Sequence, residues 1–295
     1  MTNTKTVRVP HLGGIDAAYQ MPREYDPSKP TVVLINAFTT SSELYRDQFD
    51  DEELAGAVNL IAIELLGHGQ TRTERQHWTY WDTAEMNLQV LDALNVDRAF
   101  ILGTSQGGWV TVQMALLRPE KIQGIIPMGT SMDSESERSR KLNCWDGPSI
   151  VASFVKQWAN SEPTSNFEPD DAYCNATIGI GLNEVSPEVQ EFWTKTIKAN
   201  YQGEAGRQRI RMAAINLAER GGLHLRLPDV RCPVLWLHGT RDAVYSLANA
   251  EEEIQLFTSS PSADLVPIEG GAHFLSASRP REVNAALLQF VKTHQ

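Results

Sequence analysis

Cysteine is scarce in this chain, with three residues among 295: Cys144, Cys174 and Cys232. An odd, sparse set without paired spacing fits neither a disulfide framework nor a cysteine metal site. The sequence also has no cluster of other residues with the spacing of metal ligands. We therefore expect no metal and no cofactor.

Long apolar runs are missing as well. No segment approaches the length that crosses a membrane, and residues 2–8 are polar and basic where a secretion signal would turn apolar. These features predict a soluble, cytoplasmic protein without a membrane partner.

Concentrated positive charge is the third absence. The formal net charge is −11, and no cluster of lysine and arginine interrupts the acidic balance. Nucleic acids and anionic membranes are bound through such clusters, so we expect neither as a partner.

Short apolar runs that alternate with helical periodicity fill most of the chain. The runs read as buried strands at 31–37, 59–64, 99–105, 122–128, 233–238 and 264–268. Helical patterns lie at 42–50, 79–94, 106–117, 246–257 and 280–293. This alternation predicts an α/β fold, a mostly parallel sheet with helices on both faces. Pro267 suits an edge strand or a strand end.

The segment 132–229 does not alternate. It contains helical patterns at 148–160, 170–180, 187–199 and 203–219, and it is rich in large apolar side chains. A helical insertion in an α/β sheet is typical of a cap over the carboxyl edge, where ligands bind. We therefore predict a core of 1–131 and 230–295 with a cap (lid) of 132–229. The alternative is a helical bundle that packs on itself without a ligand role.

A candidate nucleophile stands in the sequence Gly-Thr-Ser-Gln-Gly-Gly at 103–108, directly after the apolar run 99–102. This is the G-x-S-x-G pattern between a strand and a helix, where a sharp turn lifts the serine clear of the sheet. Flanking glycines leave room for the strained backbone. We assign Ser105 as nucleophile and the Gln106 backbone N–H as a donor to developing negative charge.

A serine nucleophile needs a base and an orienting carboxylate. His273 lies in a loop after the strand at 264–268, and Asp242 lies in a loop after the strand at 233–238. Both loops belong at the edge of the sheet where Ser105 is expected. The competing acid is Asp133, with Glu135 behind it, and the alternative for His273 is a structural histidine.

Acyl transfer also needs a second donor to the oxyanion. The loop after the strand at 31–35 reads Asn36-Ala37-Phe38-Thr39-Thr40. We assign this donor to the backbone N–H of Phe38, which leaves its side chain free to line the pocket.

Four motifs together resemble the α/β-hydrolase superfamily: ELLGHGQT at 64–71, GTSQGG at 103–108, HGTRD at 238–242 and GGAHF at 270–274. The resemblance implies acyl-enzyme chemistry. Ser105 would attack a carbonyl, His273 would take its proton and later activate water, and Asp242 would hold the imidazole. A serine at 105 argues against relatives of this fold that use an aspartate nucleophile, the haloalkane dehalogenases and epoxide hydrolases.

The chain departs from the family pattern at two places. Asn36-Ala37 replaces the common His-Gly, and the Asn start is similar to 3-oxoadipate enol-lactonases. The same loop also resembles the His-Gly-Phe-Gly-Thr loop of strigolactone and karrikin receptor hydrolases. Glu64 stands where Asp is usual, which we expect to affect structure and not chemistry.

The leading hypothesis is a serine hydrolase of a small carboxylic ester or lactone. A carbon–carbon bond hydrolase of vinylogous diketones would use a similar triad, and its products would be an acid plus a ketone or enol. A receptor that cleaves its ligand slowly and signals through its cap is a third possibility. The sequence leaves the substrate, its stereochemistry and the oligomeric state open.

Overall fold

A computed structural model describes residues 4–159 and 162–295 of the chain. Within these ranges nine strands form one sheet. They are β1 (Lys5–Val9), β2 (Ile15–Gln20), β3 (Thr31–Ile35), β4 (Asn59–Ile63), β5 (Arg72–Thr73), β6 (Ala99–Thr104), β7 (Ile122–Met128), β8 (Val234–Gly239) and β9 (Ala263–Ile268).

The sheet has the order β1-β2-β4-β3-β6-β7-β8-β9, and β5 pairs with β2. Six neighbouring strands of this sheet are parallel: β4, β3, β6, β7, β8 and β9. The remaining strands, β1, β2 and β5, form antiparallel pairs. The predicted α/β architecture is confirmed, and the six predicted strands agree with the parallel ones to within two residues at each end. Pro267 lies in β9, the edge strand, where its missing N–H removes no central ladder bond.

Helices cover both faces of this sheet. They are α1 (Arg46–Phe49), α2 (Glu52–Ala57), α3 (Tyr80–Ala93), α4 (Gln106–Leu117), α5 (Glu137–Lys141), α6 (Gly147–Gln157), α7 (Asp171–Leu182), α8 (Pro187–Asn200), α9 (Gly203–Glu219), α10 (Leu247–Ile254), α11 (Leu275–Ser278) and α12 (Pro280–His294). None of the helices in the described ranges combines the length and apolar character needed to cross a lipid bilayer.

The helix predicted at 42–50 is wrong as a single element. Residues Ser42–Tyr45 form a 3-10 turn, and only α1 is α-helical. Tertiary contacts override the local pattern here, because Ser42 is bound to the Glu64 carboxylate and Tyr45 donates to the Ile35 carbonyl at 2.5 Å. The predicted helix at 148–160 becomes α6, and its residue 160 lies outside the described residues.

The strand pattern divides the core into two layers. In β3, Val33 faces the layer that contains α3 and α4, while Leu34 faces the layer that contains α12. In β6, Ile101 and Phe100 divide in the same way. Because central parallel strands are covered on both sides, their sequences read as continuous apolar runs.

Helices α5 to α9, which we call the inserted helices, lie in the chain between β7 and β8. The Leu223 N–H donates to the Met132 carbonyl at 2.8 Å and joins the two ends of the insertion. The Phe274 N–H donates to the Gly181 carbonyl of α7 at 2.6 Å. This contact brings the inserted helices against the loop that carries His273.

Candidate active site

Ser105 occupies a strained turn between β6 and α4. Its backbone has φ 53° and ψ −113°, a conformation that a residue with a side chain rarely adopts. The surroundings hold this turn, because the Ser105 N–H donates to the Met128 carbonyl at 2.8 Å and Thr130 Oγ1 donates to the Ser105 carbonyl at 2.8 Å. The serine side chain therefore lies at the carboxyl edge of the sheet, at the start of α4.

Glycines make the close packing of this turn possible. A Cβ on Gly107 would lie 2.2 Å from the Ile35 carbonyl oxygen, and a Cβ on Gly103 would lie 2.1 Å from the Gly107 carbonyl oxygen. Any side chain at either position would force β3, β6 and α4 apart. The glycine requirement is steric here, since neither residue needs a positive φ.

Asp242 and His273 form a buried pair. The imidazole Nδ1 of His273 lies 3.1 Å from Asp242 Oδ1 and 3.0 Å from Oδ2. The backbone N–H groups of Val244 and Tyr245 donate to Oδ1 at 2.8 and 3.0 Å. The loops after β8 and β9 thus bring together two residues that are 31 positions apart in sequence.

The electrostatics of the pair fix its protonation. Burial alone would raise the pKa of the Asp242 carboxyl, but the imidazoles of His273 and His238 and the hydrogen bond from Tyr245 lower it below its usual value. Asp242 is therefore a carboxylate at neutral pH and accepts the proton on His273 Nδ1. In a neutral imidazole this leaves Nε2 as an acceptor, which is the form that a general base requires.

The competing carboxylates have other partners. Asp133 accepts a hydrogen bond from Ser136 Oγ at 2.5 Å and has the Arg138 guanidinium at 3.8 Å. Glu135 accepts from Tyr245 Oη at 2.9 Å and also pairs with Arg220. Within the described residues, Asp242 is the carboxylate that bonds to His273.

The loop after β3 is held by the side chain of Asn36. Its Nδ2 donates to the Thr40 carbonyl at 2.9 Å, and its Oδ1 accepts from the Leu65 N–H at 2.9 Å. In the described chain, neither the Phe38 N–H nor the Gln106 N–H donates to another protein group. Two backbone donors are therefore available beside Ser105.

A cavity of about 120 Å³ joins these parts. Phe38, Ser105 and His273 line it. Both residues line the cavity, but no hydrogen bond connects Ser105 to His273 in the described ranges. Catalytic hydrogen bonds are often long in enzymes without ligand and shorten when substrate binds.

Glu64 does not line the cavity; its carboxylate holds two turns together. Its Oε1 accepts from Ser42 Oγ at 2.8 Å, and its Oε2 accepts from the Gln70 N–H at 2.5 Å. A Cβ on Gly69 would lie 2.1 Å from Oε2, so the turn closes tightly on the carboxylate. Glu64 thereby fixes the turn after β4 to the 3-10 turn at 42–45.

The family model of the α/β hydrolase fold matches residues 30–280. The chain belongs to this family. A thermophilic esterase from Thermogutta terrifontis has a similar structure, with a TM-score of 0.80, 20% identity and coverage of 99% of this chain and 100% of that chain. An enol-lactonase from Burkholderia xenovorans LB400 has a TM-score of 0.78 at 17% identity, over 97% of this chain and 100% of that one.

A relative from Pseudomonas putida, the dihydrolipoyllysine-residue acetyltransferase component of the acetoin cleaving system, is 22% identical over 263 residues. The match covers 89% of this chain and 64% of that relative. The comparisons confirm the predicted superfamily. At these identities the structural likenesses establish the fold of this α/β hydrolase.

Most of the cavity wall of this α/β hydrolase was not predicted residue by residue. Its apolar members are Trp145, Ile150, Val151, Phe154, Tyr173, Ala176, Ile180, Leu217, Val244 and Phe274. The one available signal was the aromatic richness of the segment 132–229. Which members of that segment turn toward the serine depends on helix packing, and no local motif records that packing.

Proposed function

We propose that this α/β hydrolase is a serine hydrolase that cleaves a small carboxylic ester or lactone through an acyl-enzyme on Ser105. The observation that carries the proposal is the buried Asp242–His273 pair, whose histidine lines the same cavity as a serine in a strained turn. The Phe38 and Gln106 N–H groups, which have no partner among the described protein groups, support the assignment of both as oxyanion donors.

In the proposed reaction, His273 Nε2 takes the Ser105 proton while Oγ bonds to the substrate carbonyl carbon. The electron pair of the carbonyl moves to oxygen, and the Phe38 and Gln106 N–H groups stabilise that oxyanion. Collapse of the tetrahedral intermediate breaks the bond to the leaving alkoxide, which receives the proton from His273. Water then releases the acid by the same steps, with His273 again as base and Asp242 stabilising the imidazolium.

The cavity supports a small, uncharged acyl group. Aspartate, glutamate, lysine and arginine are all absent from its wall as far as the described residues extend. At about 120 Å³ it is smaller than an engineered cavity of about 150 Å³ that holds benzene. The part of the acyl group that this cavity encloses is therefore a short chain or a small ring.

The segment 132–229 contributes a large part of this wall, with Phe154, Tyr173 and Leu217 on its helices and Trp145 in the loop between α5 and α6. We propose on this basis that the segment 132–229 acts as a cap that shapes the substrate site. The competing interpretation, a self-packed bundle without a ligand role, does not explain why nine residues of this segment line the cavity of Ser105.

A time course on aryl esters, lactones and vinylogous diketones tests the function, with intact mass recorded at each point. We expect many turnovers, a transient acyl adduct, and loss of both in Ser105→Ala. Ser131→Ala is the control, because this buried hydroxyl lies at the same sheet edge and is bound to Glu253. Unchanged turnover in Ser105→Ala would overturn the mechanism.

The products distinguish the remaining alternatives. An acid plus an alcohol, or a hydroxy acid from a lactone, agrees with the proposal. An acid plus a ketone or enol would instead identify a carbon–carbon bond hydrolase. A single turnover with a lasting adduct would indicate a receptor-type hydrolase.

A further inference from the structure

Tyr173 is held firmly by aromatic contacts among the inserted helices. Its ring centroid lies 5.1 Å from that of Phe154 and 5.1 Å from that of Trp158, both at steep angles. The residue is 4% exposed and lines the cavity of Ser105. Phe154 and Trp158 are stacked on each other, and Tyr173 packs edge to face against both, which leaves it little freedom to move.

The hydroxyl of Tyr173 leaves this cluster and reaches the core. Its Oη donates to Thr39 Oγ1 at 3.2 Å, across a sequence separation of 134 residues. Tyr173 belongs to α7, whereas Thr39 belongs to the loop after β3. This hydrogen bond therefore joins an inserted helix to the loop that carries the Phe38 N–H.

Thr39 is the residue of that loop that most needs support. Its φ is 55°, which is unfavourable for a β-branched residue, and it directly follows Phe38. The neighbouring Thr40 is held locally, because its Oγ1 donates to the Ala37 carbonyl at 2.8 Å. The Tyr173 hydroxyl supplies a further anchor from outside the loop.

We infer that Tyr173 is a positioning residue, whose hydroxyl holds Thr39 and thereby keeps the Phe38 N–H aimed at the oxyanion. The inference rests on the proposed function, since it requires the Phe38 N–H to be an oxyanion donor. If Tyr173 has this role, the position of α7 determines how well the Phe38 N–H stabilises the oxyanion. The predicted cap thus completes the catalytic geometry as well as covering the substrate.

An oxyanion donor acts in the transition state more than in the bound ester, so its misplacement lowers kcat and leaves KM nearly unchanged. Removal of such a donor costs about 10²–10³-fold in kcat. Loss of its anchor allows the loop to shift without removing the donor. We therefore expect Tyr173→Phe to lower kcat by roughly 10-fold, a fraction of the full effect.

Tyr201→Phe is the matched control for this change. Tyr201 is also a fully buried tyrosine between the inserted helices and the core, and its ring contacts His68. Its hydroxyl has no hydrogen-bond partner in the described chain. We expect Tyr201→Phe to keep wild-type kcat and KM, so a general effect of altering a buried tyrosine would appear in both variants.

Substitutions at Thr39 test the acceptor side of the bond. Thr39→Ser keeps the hydroxyl and should retain most of the activity, whereas Thr39→Val removes the acceptor and should match Tyr173→Phe. The double variant Tyr173→Phe/Thr39→Val should be no slower than Thr39→Val alone, because both changes remove the same bond. Multiplied effects in the double variant would contradict the inference.

The inhibition constant of a boronic acid distinguishes a positioning role of Tyr173 from a purely structural one. Ser105 Oγ adds to boron, its proton passes to His273, and the anionic boronate imitates the tetrahedral intermediate. In Tyr173→Phe we expect the boronate Ki to rise by the same factor as kcat falls, with an unchanged Ki for the product acid. Equal boronate Ki values in Tyr173→Phe and Tyr201→Phe would overturn the inference.

Failure of the proposed function and failure of the positioning role of Tyr173 would give different results. If wild-type protein neither turns over an ester nor forms a boronate adduct on Ser105, the proposed function fails and the inference falls with it. If wild type does both and Tyr173→Phe is indistinguishable from it, only the positioning role is wrong. A change of KM without a change of kcat in Tyr173→Phe would also exclude that role.

Discussion

The hydrogen bonds to the Asp242 carboxylate predict how the substitution Asp242→Asn would act. The Val244 and Tyr245 N–H groups donate to its Oδ1, so the amide oxygen of Asp242→Asn would take that position. The amide NH₂ would then face His273 Nδ1 and force the proton onto Nε2, the wrong tautomer for a base. We expect kcat to fall by about 10⁴-fold with the fold retained, measured as ester turnover and circular dichroism.

Asp133→Asn is the control for this substitution. The side chain of Asp133 is buried like that of Asp242, but its partners are Ser136 and Arg138. We expect turnover within a few-fold of wild type, together with a lower melting temperature. A larger loss of kcat in Asp133→Asn than in Asp242→Asn would mean that the orienting acid has been assigned to the wrong residue.

Residue-scale prediction from the sequence depends on whether a local motif surrounds the residue. Ser105, Asp242 and His273 each follow a strand within a glycine-marked turn, so their types and positions were visible in the sequence. The bond between Tyr173 and Thr39 had no such signal. Its partners belong to segments that meet only after the inserted helices have packed on the core.

The β6–turn–α4 element depends on glycines where backbones approach closely. A Cβ on Gly107 would lie 2.2 Å from the Ile35 carbonyl oxygen, and neither backbone can withdraw without moving a strand or a helix. We expect Gly107→Ala to lower the melting temperature by several degrees and to reduce kcat, because Ser105 and the Gln106 N–H move with the turn. Thermal unfolding and ester turnover measure the two effects.

Gly179→Ala provides the opposite case on another helix. Gly179 is exposed on α7, and a Cβ there would meet no atom within 4 Å. Alanine should stabilise this helix by roughly 0.5–1 kcal/mol, since it loses less backbone entropy on folding than glycine. If both glycine variants melted at the same temperature, the close approach at Gly107 would not be the constraint described.

At the scale of elements, cover on both faces made the central strands predictable. β3 and β6 are covered on both faces and appear in the sequence as unbroken apolar runs. β1 is mostly exposed or half-buried, so its sequence carries no comparable run and it was not predicted. The turn at 42–45 was misread as helix because Glu64 and Ile35, which bend it, are distant in sequence.

Across the whole molecule, one buried network connects the insertion to the candidate active site. Glu135 near the start of the insertion pairs with Arg220 near its end. The same Oε1 atom of Glu135 accepts from Tyr245 Oη at 2.9 Å and from Trp145 Nε1 at 3.2 Å. Tyr245 in turn donates its N–H to Asp242, so the network reaches the carboxylate that we propose orients His273.

This network could not be predicted from the sequence. The local sequence around Glu135 shows only an acidic residue near Asp133, and its partners Arg220 and Tyr245 lie 85 and 110 positions away. A buried ion pair of this kind forms only when both ends of an insertion return to the same point of the core. The fold class was therefore predictable, while the connection between its two parts was not.

Removing one partner of the Glu135–Arg220 pair should be costly, because it leaves the other charge buried without compensation. We expect Arg220→Met to lower the free energy of unfolding by about 3–5 kcal/mol, and Glu135→Gln to lower it by a similar amount. The charge-neutral double variant should lose less than the sum of the two, since no unpaired charge then remains. Urea denaturation of the four proteins measures this coupling.

Glu137→Gln supplies the surface comparison from the same segment. Its carboxylate pairs with Lys141 at 2.7 Å, but both side chains are more than two-thirds exposed, so its loss should leave the unfolding midpoint unchanged. The Glu135 variant should also lose kcat, because Tyr245 bonds to Glu135 through its hydroxyl and to Asp242 through its N–H, so a shift of Tyr245 would displace Asp242. Additive losses at 135 and 220 would mean that the two side chains do not stabilise the fold as a coupled pair.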